Sequence, residues 1–371
     1  MMLIMQVVTS DFVNGKKVLL RYDIDVALGK GTGDSLQVTE DFKLRAGLKT
    51  LKLCIDNAEK IIIMGHVGRP FKTAEDEKNG NPPKLSAKPI QVWLEKELGQ
   101  SVEFALSLDQ AKNSSAKIIL LENIRFFHGE ILGSEYHASC VSKTCDVDFA
   151  KSLASLGDSP SGEAGVFVNE AFSSHNKSVS TTVLPTLLPH RAGEHFIKEV
   201  ETLLKVRNNP KKPFIAIMGG AKVVDKLPVI TVLAKSADAV LVGGKLIHEI
   251  RDQKVDLAKN VMVGKLNDDG FDISPDTTDA WSGLIKGAKM IVWNGPVGKF
   301  EEEKYNQTES LIKLVLQSGA EVVIGGGDSV AALNQYGMLQ EAEKVAFVSV
   351  GGGAMLKLIA DGTLPTIQAL N

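Results

Sequence analysis

Short runs that are apolar at nearly every position, each closed by glycine or polar residues, set the tightest limit on how this chain can fold. Residues 214–217 lead into Gly219-Gly220-Ala221-Lys222, and 290–293 lead into Asn294-Gly295-Pro296. Residues 322–324 lead into Gly325-Gly326-Gly327-Asp328-Ser329, and 345–350 into Gly351-Gly352-Gly353. A strand buried on one face alternates apolar and polar residues; these runs do not, so both faces are covered. Helix-length segments separate them, which predicts a parallel sheet with helices on either side. In such a sheet the turns after the strands share one edge. Glycines there let backbone N–H groups approach a ligand, and a following helix N-terminus adds donors suited to phosphate. Four such turns in succession predict one crevice for a polyphosphate.

The first half repeats the rhythm with other residues at the strand ends. Lys17–Arg21, Lys60–Met64, 116–121 and 165–168 read as buried strands, with helices expected over 42–57 and 89–98. In the second half strands are expected at 214–218, 239–242, 290–293, 322–324 and 346–350. The prediction is therefore an α/β chain with two parallel sheets. Leu184-Pro185 and Leu188-Pro189 place the boundary near 185–200, followed by a helix over about 196–206. Residues 75–83 and 129–148 read as irregular loops, and 364–366 as part of a tail outside the second sheet.

At 371 residues, two domains are the natural expectation. A formal net charge of −3 leaves no broad footprint for nucleic acid, so any anion site must come from local clustering of Lys and Arg. No apolar run reaches the ~20 residues that span a bilayer. The apolar opening Met1–Met5 has no basic segment before it and is followed by Asp11. Three cysteines do not make a disulfide framework, and a cytoplasmic location is expected. His128, His137, Cys140 and Cys145 would suit zinc by residue type, but their spacing matches no standard pattern; free thiols in a loop is the competing reading.

Cations gather at the strand ends of the first half. Arg21-Tyr22-Asp23-Ile24-Asp25 ends the first strand, and Gly65-His66-Val67-Gly68-Arg69-Pro70 the second. Glu122-Asn123-Ile124-Arg125-Phe126 ends the third, and Asn169-Glu170-Ala171-Phe172 the fourth, with Lys177 shortly after. A lone charged residue in a loop is usually just solvated. Cations at successive ends of one parallel sheet instead converge, so Arg21, His66, Arg69, Arg125 and Lys177 are expected to form an anion trap.

These strand-end segments resemble phosphoglycerate kinase in order and spacing, as do residues 219–226, 293–301, 325–329 and 351–354. The resemblance spans nearly the whole chain. It implies two Rossmann-like domains joined by a hinge: an acid-substrate domain at 1–185, a hinge and interdomain helix at 186–205, a nucleotide-binding domain at 206–355, and a tail at 356–371 returning to the first domain. It implies reversible phosphoryl transfer between 1,3-bisphosphoglycerate and ADP, with Mg²⁺ carried by the nucleotide, in a monomer.

Carried over position by position, Lys222 resembles the lysine that follows the transferring phosphoryl group, and Lys226 the lysine on the nucleotide phosphates. A spacing of four puts the two on one helix face, which agrees. Asp328 resembles the Mg²⁺ residue, and a hard carboxylate beside phosphate is what magnesium prefers. Ser329, Gly326 and Gly327 would bind phosphate, and Gly352 would aim its amide at the moving group. Glu301 would take the ribose hydroxyls; Gly220, Gly243, Gly244, Asn294 and Pro296 would wall the nucleotide. Asp23, Asp25, Lys43, His66, Arg69, Arg125 and Lys177 fall at the phosphoglycerate site.

The departures fall mainly on the acid side. Lys43 stands where the family has arginine, Asn176-Lys177 where it has His-Arg, and Asp25 where it has asparagine. Lysine keeps charge but loses the planar fork; Asp25 adds negative charge to an anion site. Lys245 replaces a glycine, Val350 a threonine, Met355 a serine and Lys357 a glutamate, and Pro228 sits inside the phosphate-binding helix. Two readings stay open: a divergent phosphoglycerate kinase in which Arg45 or Lys177 covers the loss, or a relative that binds the nucleotide but uses another acid or none. A dinucleotide-dependent dehydrogenase is disfavoured, since no Gly-x-Gly-x-x-Gly turn has an acidic partner about 20 residues on.

Overall fold

The computed structural model describes residues 5–31, 35–71, 80–132, 145–159, 162–220 and 223–371. Two compact units result: residues 1–198 with 364–371, and residues 199–363. The division falls within the helix Glu194–Asn208.

Strands run in chain order as β1 (Lys17–Arg21), β2 (Leu28–Lys30), β3 (Leu36–Val38), β4 (Lys60–Met64), β5 (Glu103–Ala105), β6 (Ile118–Leu121), β7 (Val166–Asn169) and β8 (His190–Ala192) in the first unit. Six of them form a parallel sheet in the order β5-β6-β4-β1-β7-β8, and β2 and β3 pair as an antiparallel hairpin. The apolar runs explain the order. Leu19 and Leu20 of β1, Ile61–Ile63 of β4, Leu120 of β6 and Phe167 of β7 are fully buried, as central strands covered on both faces must be. The outer strands β5 and β8 have only three residues each and lack a continuous apolar signal, so sequence periodicity missed them.

The second unit holds β9 (Phe214–Met218), β10 (Ala239–Val242), β11 (Val261–Val263), β12 (Met290–Asn294), β13 (Glu321–Gly325) and β14 (Ala346–Ser349), in the parallel order β11-β10-β9-β12-β13-β14. Register aligns their ends: Val242 with Met218, Met218 with Asn294, Asn294 with Gly325, and Gly325 with Ser349. The glycine clusters therefore leave the sheet at one level.

Some expectations change. The helix expected over 42–57 is two, Phe42–Ala46 and Leu48–Asn57. The Tyr22 hydroxyl donates to the Leu44 carbonyl, the acceptor that residue 48 would use in an unbroken helix. Gly47 sits where a Cβ would meet the Tyr22 ring at 2.5 Å. The helix Cys145–Ala154 begins inside the stretch read as irregular. The helix Gly352–Asp361 runs across residue 356, and the segment that groups with the first unit starts at Leu364. The helix Val223–Ala234 continues through Pro228. No helix among the described residues is long and apolar enough to cross a membrane.

Candidate active site

The first unit opens a cavity of about 770 Å³ at the carboxyl ends of its central strands. Parallel pairing puts Arg21 level with Met64 and Asn169, so the residues that follow each strand meet there. Arg21, Asp25, His66, Arg69, Arg125 and Lys177 all line it. Arg69 and Lys177 are exposed; Arg21 and His66 are buried.

Several of these side chains are held by neighbours. Arg125 donates from Nη1 to the Gly68 carbonyl at 2.5 Å, and burial lowers its pKa to about 10, which leaves it charged at neutral pH. Asp25 turns its carboxylate onto the Gly68 N–H at 2.8 Å and lies 3.7 Å from His66 Nε2. The added negative charge is thus tied to the loop that carries His66 and Arg69. Lys43 donates to the Asp25 carbonyl at 2.9 Å. It is half-buried and is not among the cavity-lining residues, and Arg45 is ion-paired with Asp41, the residue just before its helix. Burial pushes the His66 ring well below its ordinary pKa, and Arg125, Arg21, Lys43 and Arg69 push the same way. Asp23 is 4% exposed, and neither carboxylate oxygen has a hydrogen-bond partner among the described residues. Such a carboxylate calls for a donor, because unmet acceptors are costly when buried.

The second unit has a cavity of about 590 Å³ at the matching edge of its sheet. Gly220, Gly244, Pro296, Glu301 and Asp328 line it, with Lys245, His248, Phe271 and Lys299. Gly244 has φ +67°, and a Cβ there would lie 2.9 Å from the Pro296 carbonyl, so only glycine keeps this turn closed. Gly326 and Gly327 open the helix Gly327–Gln335, with Asp328 exposed in its first turn.

Other expected nucleotide residues support the floor instead of lining the cavity. Lys226 is buried and donates to the carbonyls of Gly219 and Asn294. Ser329 donates to the Gly325 carbonyl at 2.9 Å and accepts from Gly295 N–H at 2.8 Å. Asn294 donates to the same Gly325 carbonyl at 3.0 Å. Gly243 packs against Val297, where a Cβ would approach at 2.7 Å. Gly352 is pressed against Gly326. Lys222 lies outside the described residues, as do His137 and Cys140 of the zinc reading; among the described residues no group of three ligands could hold a metal.

Sequence reasoning missed Glu130 and Ser178 in the first cavity wall, with Ser180 buried against Glu130, and Phe271 and Lys299 in the second. Glu130 is buried and accepts from both serine hydroxyls and from Ser180 N–H. Nothing in periodicity marks it, because it lies in an irregular stretch. Phe271 is half exposed with the Lys299 ammonium 5.4 Å from its ring centre; an exposed aromatic beside Gly270 was the available signal.

A sequence model of the phosphoglycerate kinase family matches residues 8–263 and 248–362. The chain belongs to the phosphoglycerate kinase family. It is 32% identical to the phosphoglycerate kinase of Rhodopirellula baltica, over 97% of each chain. It is equally 32% identical to that of Desulfovibrio desulfuricans, over 96% of each. The solved phosphoglycerate kinase of Coxiella burnetii superposes with a TM-score of 0.74 at 27% identity, covering 97% of both chains. That of Pyrococcus horikoshii shares the fold at a TM-score of 0.77 and 24% identity, over 97% of this chain and 96% of that one. Membership of the phosphoglycerate kinase family makes this chain a kinase, and each of its two sheets carries a cavity at the edge where such folds bind ligands.

Proposed function

We propose that the chain catalyses reversible phosphoryl transfer between 1,3-bisphosphoglycerate and MgADP, giving 3-phosphoglycerate and MgATP. The observation that carries this reading is the cation-lined cavity of the first unit. His66, Arg69, Arg125 and Lys177 surround it, a set suited to a small acid bearing phosphate and carboxylate. Asp23 is assigned a substrate hydroxyl, because its carboxylate oxygens lack a donor among the described residues, although it is buried and is not one of the residues lining the cavity.

In the direction of ATP use, a carboxylate oxygen of the acid attacks the γ-phosphorus in line. The bond from phosphorus to the bridging oxygen of ADP breaks, and no covalent enzyme intermediate is needed. Catalysis is then positioning and charge neutralisation. Lys222 and the amides of Gly326, Gly327 and Gly352 are assigned the equatorial oxygens, and Asp328 would hold the Mg²⁺ carried by the nucleotide, which would supply further positive charge. Glu301 is assigned the ribose, and the Gly220, Gly244 and Pro296 surface the base. Lys43 stands in for the family arginine on the acid side. Its charge suits the role, and the loss of the planar fork predicts a reduced rate.

A coupled assay in both directions with 3-phosphoglycerate and MgATP tests the reading. Turnover that depends on both substrates and collapses in Lys222→Ala supports it. Turnover no higher than that of the Lys222→Ala protein sinks it.

A further inference from the structure

A continuous hydrogen-bond chain runs through the wall of the acid cavity, and the chemistry of its members forces its direction. Arginine only donates, a carboxylate only accepts, and a serine hydroxyl has one hydrogen to give. Arg21 Nε lies 3.0 Å from Ser180 Oγ, so the serine accepts there. Its own hydrogen then goes to Glu130 Oε1, 2.7 Å away. Ser178 Oγ adds a second donor to that oxygen at 2.7 Å, and Ser180 N–H meets Oε2 at 2.9 Å. At the other end of the guanidinium, Arg21 Nη2 lies 2.9 Å from His66 Nδ1. Nδ1 must therefore accept, and the ring hydrogen sits on Nε2. Arg21 Nη1 donates to the Tyr22 carbonyl at 3.0 Å, a third contact on the same guanidinium.

We propose that Glu130 is a positioning residue for the acid substrate: through Ser180 and Arg21 it holds His66 as an Nε2–H donor facing the cavity. The inference rests on the acid-site reading above. Arg21, Glu130, Ser180 and His66 are each buried, so water does not compete for these bonds. The charged groups around His66 are Arg21, Asp25, Lys43, Arg69 and Arg125. Four are cations, and they disfavour a charged ring in the same sense as burial does. The ring thus meets its ligand as a neutral donor, while the exposed cations supply the charge. Asp25 Oδ2 lies 3.7 Å from Nε2.

The test uses the full chain with ¹⁵N-labelled histidine. At pH 7 the unaltered protein should show His66 as the neutral Nε2–H tautomer. Ser180→Ala and Glu130→Gln should shift those nitrogen signals towards a mixture of tautomers. They should raise KM for 3-phosphoglycerate by roughly tenfold, the worth of one charge-assisted bond. KM for MgATP should stay within about twofold by the same measure. A ring found as Nδ1–H or as imidazolium in the unaltered protein overturns the proposal, whether or not the variants fold. Equal rises in both KM values, or no change in KM or in the signals, overturn it too. Absence of any turnover by the unaltered protein overturns the acid-site reading itself, whereas turnover with the wrong tautomer overturns this proposal alone.

Discussion

Gly352 stands so close to Gly326 that a Cβ on Gly352 would lie 2.6 Å from the Gly326 Cα. Two glycine clusters that are far apart in the chain thereby share one backbone contact, at the point where β13 and β14 end side by side. Neither partner can retreat cheaply, because the obstructing atom is backbone and not the tip of a side chain. Gly352→Ala should cost about 1–3 kcal/mol through overpacking. Its thermal midpoint should fall, and KM for MgATP should rise as the amides of Gly326 and Gly327 are displaced. An alanine variant with unchanged midpoint and KM would show that the contact is looser than described.

Ser329 supplies a sharper distinction. Its hydroxyl joins Gly295 to Gly325 and is buried. Ser329→Ala strands the Gly295 N–H, at a cost of about 1–3 kcal/mol. The expected result is a lowered midpoint with a modest change in KM for MgATP. A large rise in that KM at an unaltered midpoint would instead make Ser329 a phosphate ligand.

His66 and Glu170 pull the stability of the first unit in opposite directions as pH changes. The folded His66 ring, held well below 6.5 by burial and then by Arg125, binds its proton less readily than the unfolded ring. Its contribution is therefore lost as pH falls below about 6.5. Burial raises the Glu170 carboxyl to about 7 from an unfolded 4.5, although Phe196 N–H and His195 N–H donate to it. Between those values the folded state binds more protons, so the Glu170 contribution is lost as pH rises through the window. His66→Gln should shrink the gain in thermal midpoint from pH 5.5 to 7.5, and Glu170→Gln should enlarge it. Midpoints of the three proteins at the two pH values decide this. Identical differences in all three would mean that neither group titrates as assigned.

Lys43→Arg should raise kcat. A guanidinium can keep the bond to the Asp25 carbonyl, now made by the ammonium at 2.9 Å, and still offer further donors. One added bond is worth roughly 0.5–1.5 kcal/mol, or up to about tenfold in rate. Lys177→Arg tests the exposed side of the same cavity. A fall in kcat for Lys43→Arg would show that Lys43 does not occupy the position of the family arginine.

Local sequence settled the central strands, because Lys17–Arg21, Lys60–Met64 and Phe214–Met218 are apolar enough to demand cover on both faces and to end at defined residues. It also settled which residues stand at strand ends, since strand ends are read directly from where the apolar run stops. Which of them face the cavity was decided only by packing. Lys226 and Ser329 carry phosphate-binding chemistry, and it is the packed turns that bring the carbonyls of Gly219 and Gly325 within reach of their hydrogens. Glu130 lies outside every periodic segment, and its role comes from Ser178 and Ser180, some fifty residues away. The three-residue strands β5, β8 and β11 gain their hydrogen bonds from a sheet that already exists, so their own residues carry little trace of it. Short-range pattern reports what each segment must bury; partners far along the chain choose where each polar hydrogen goes.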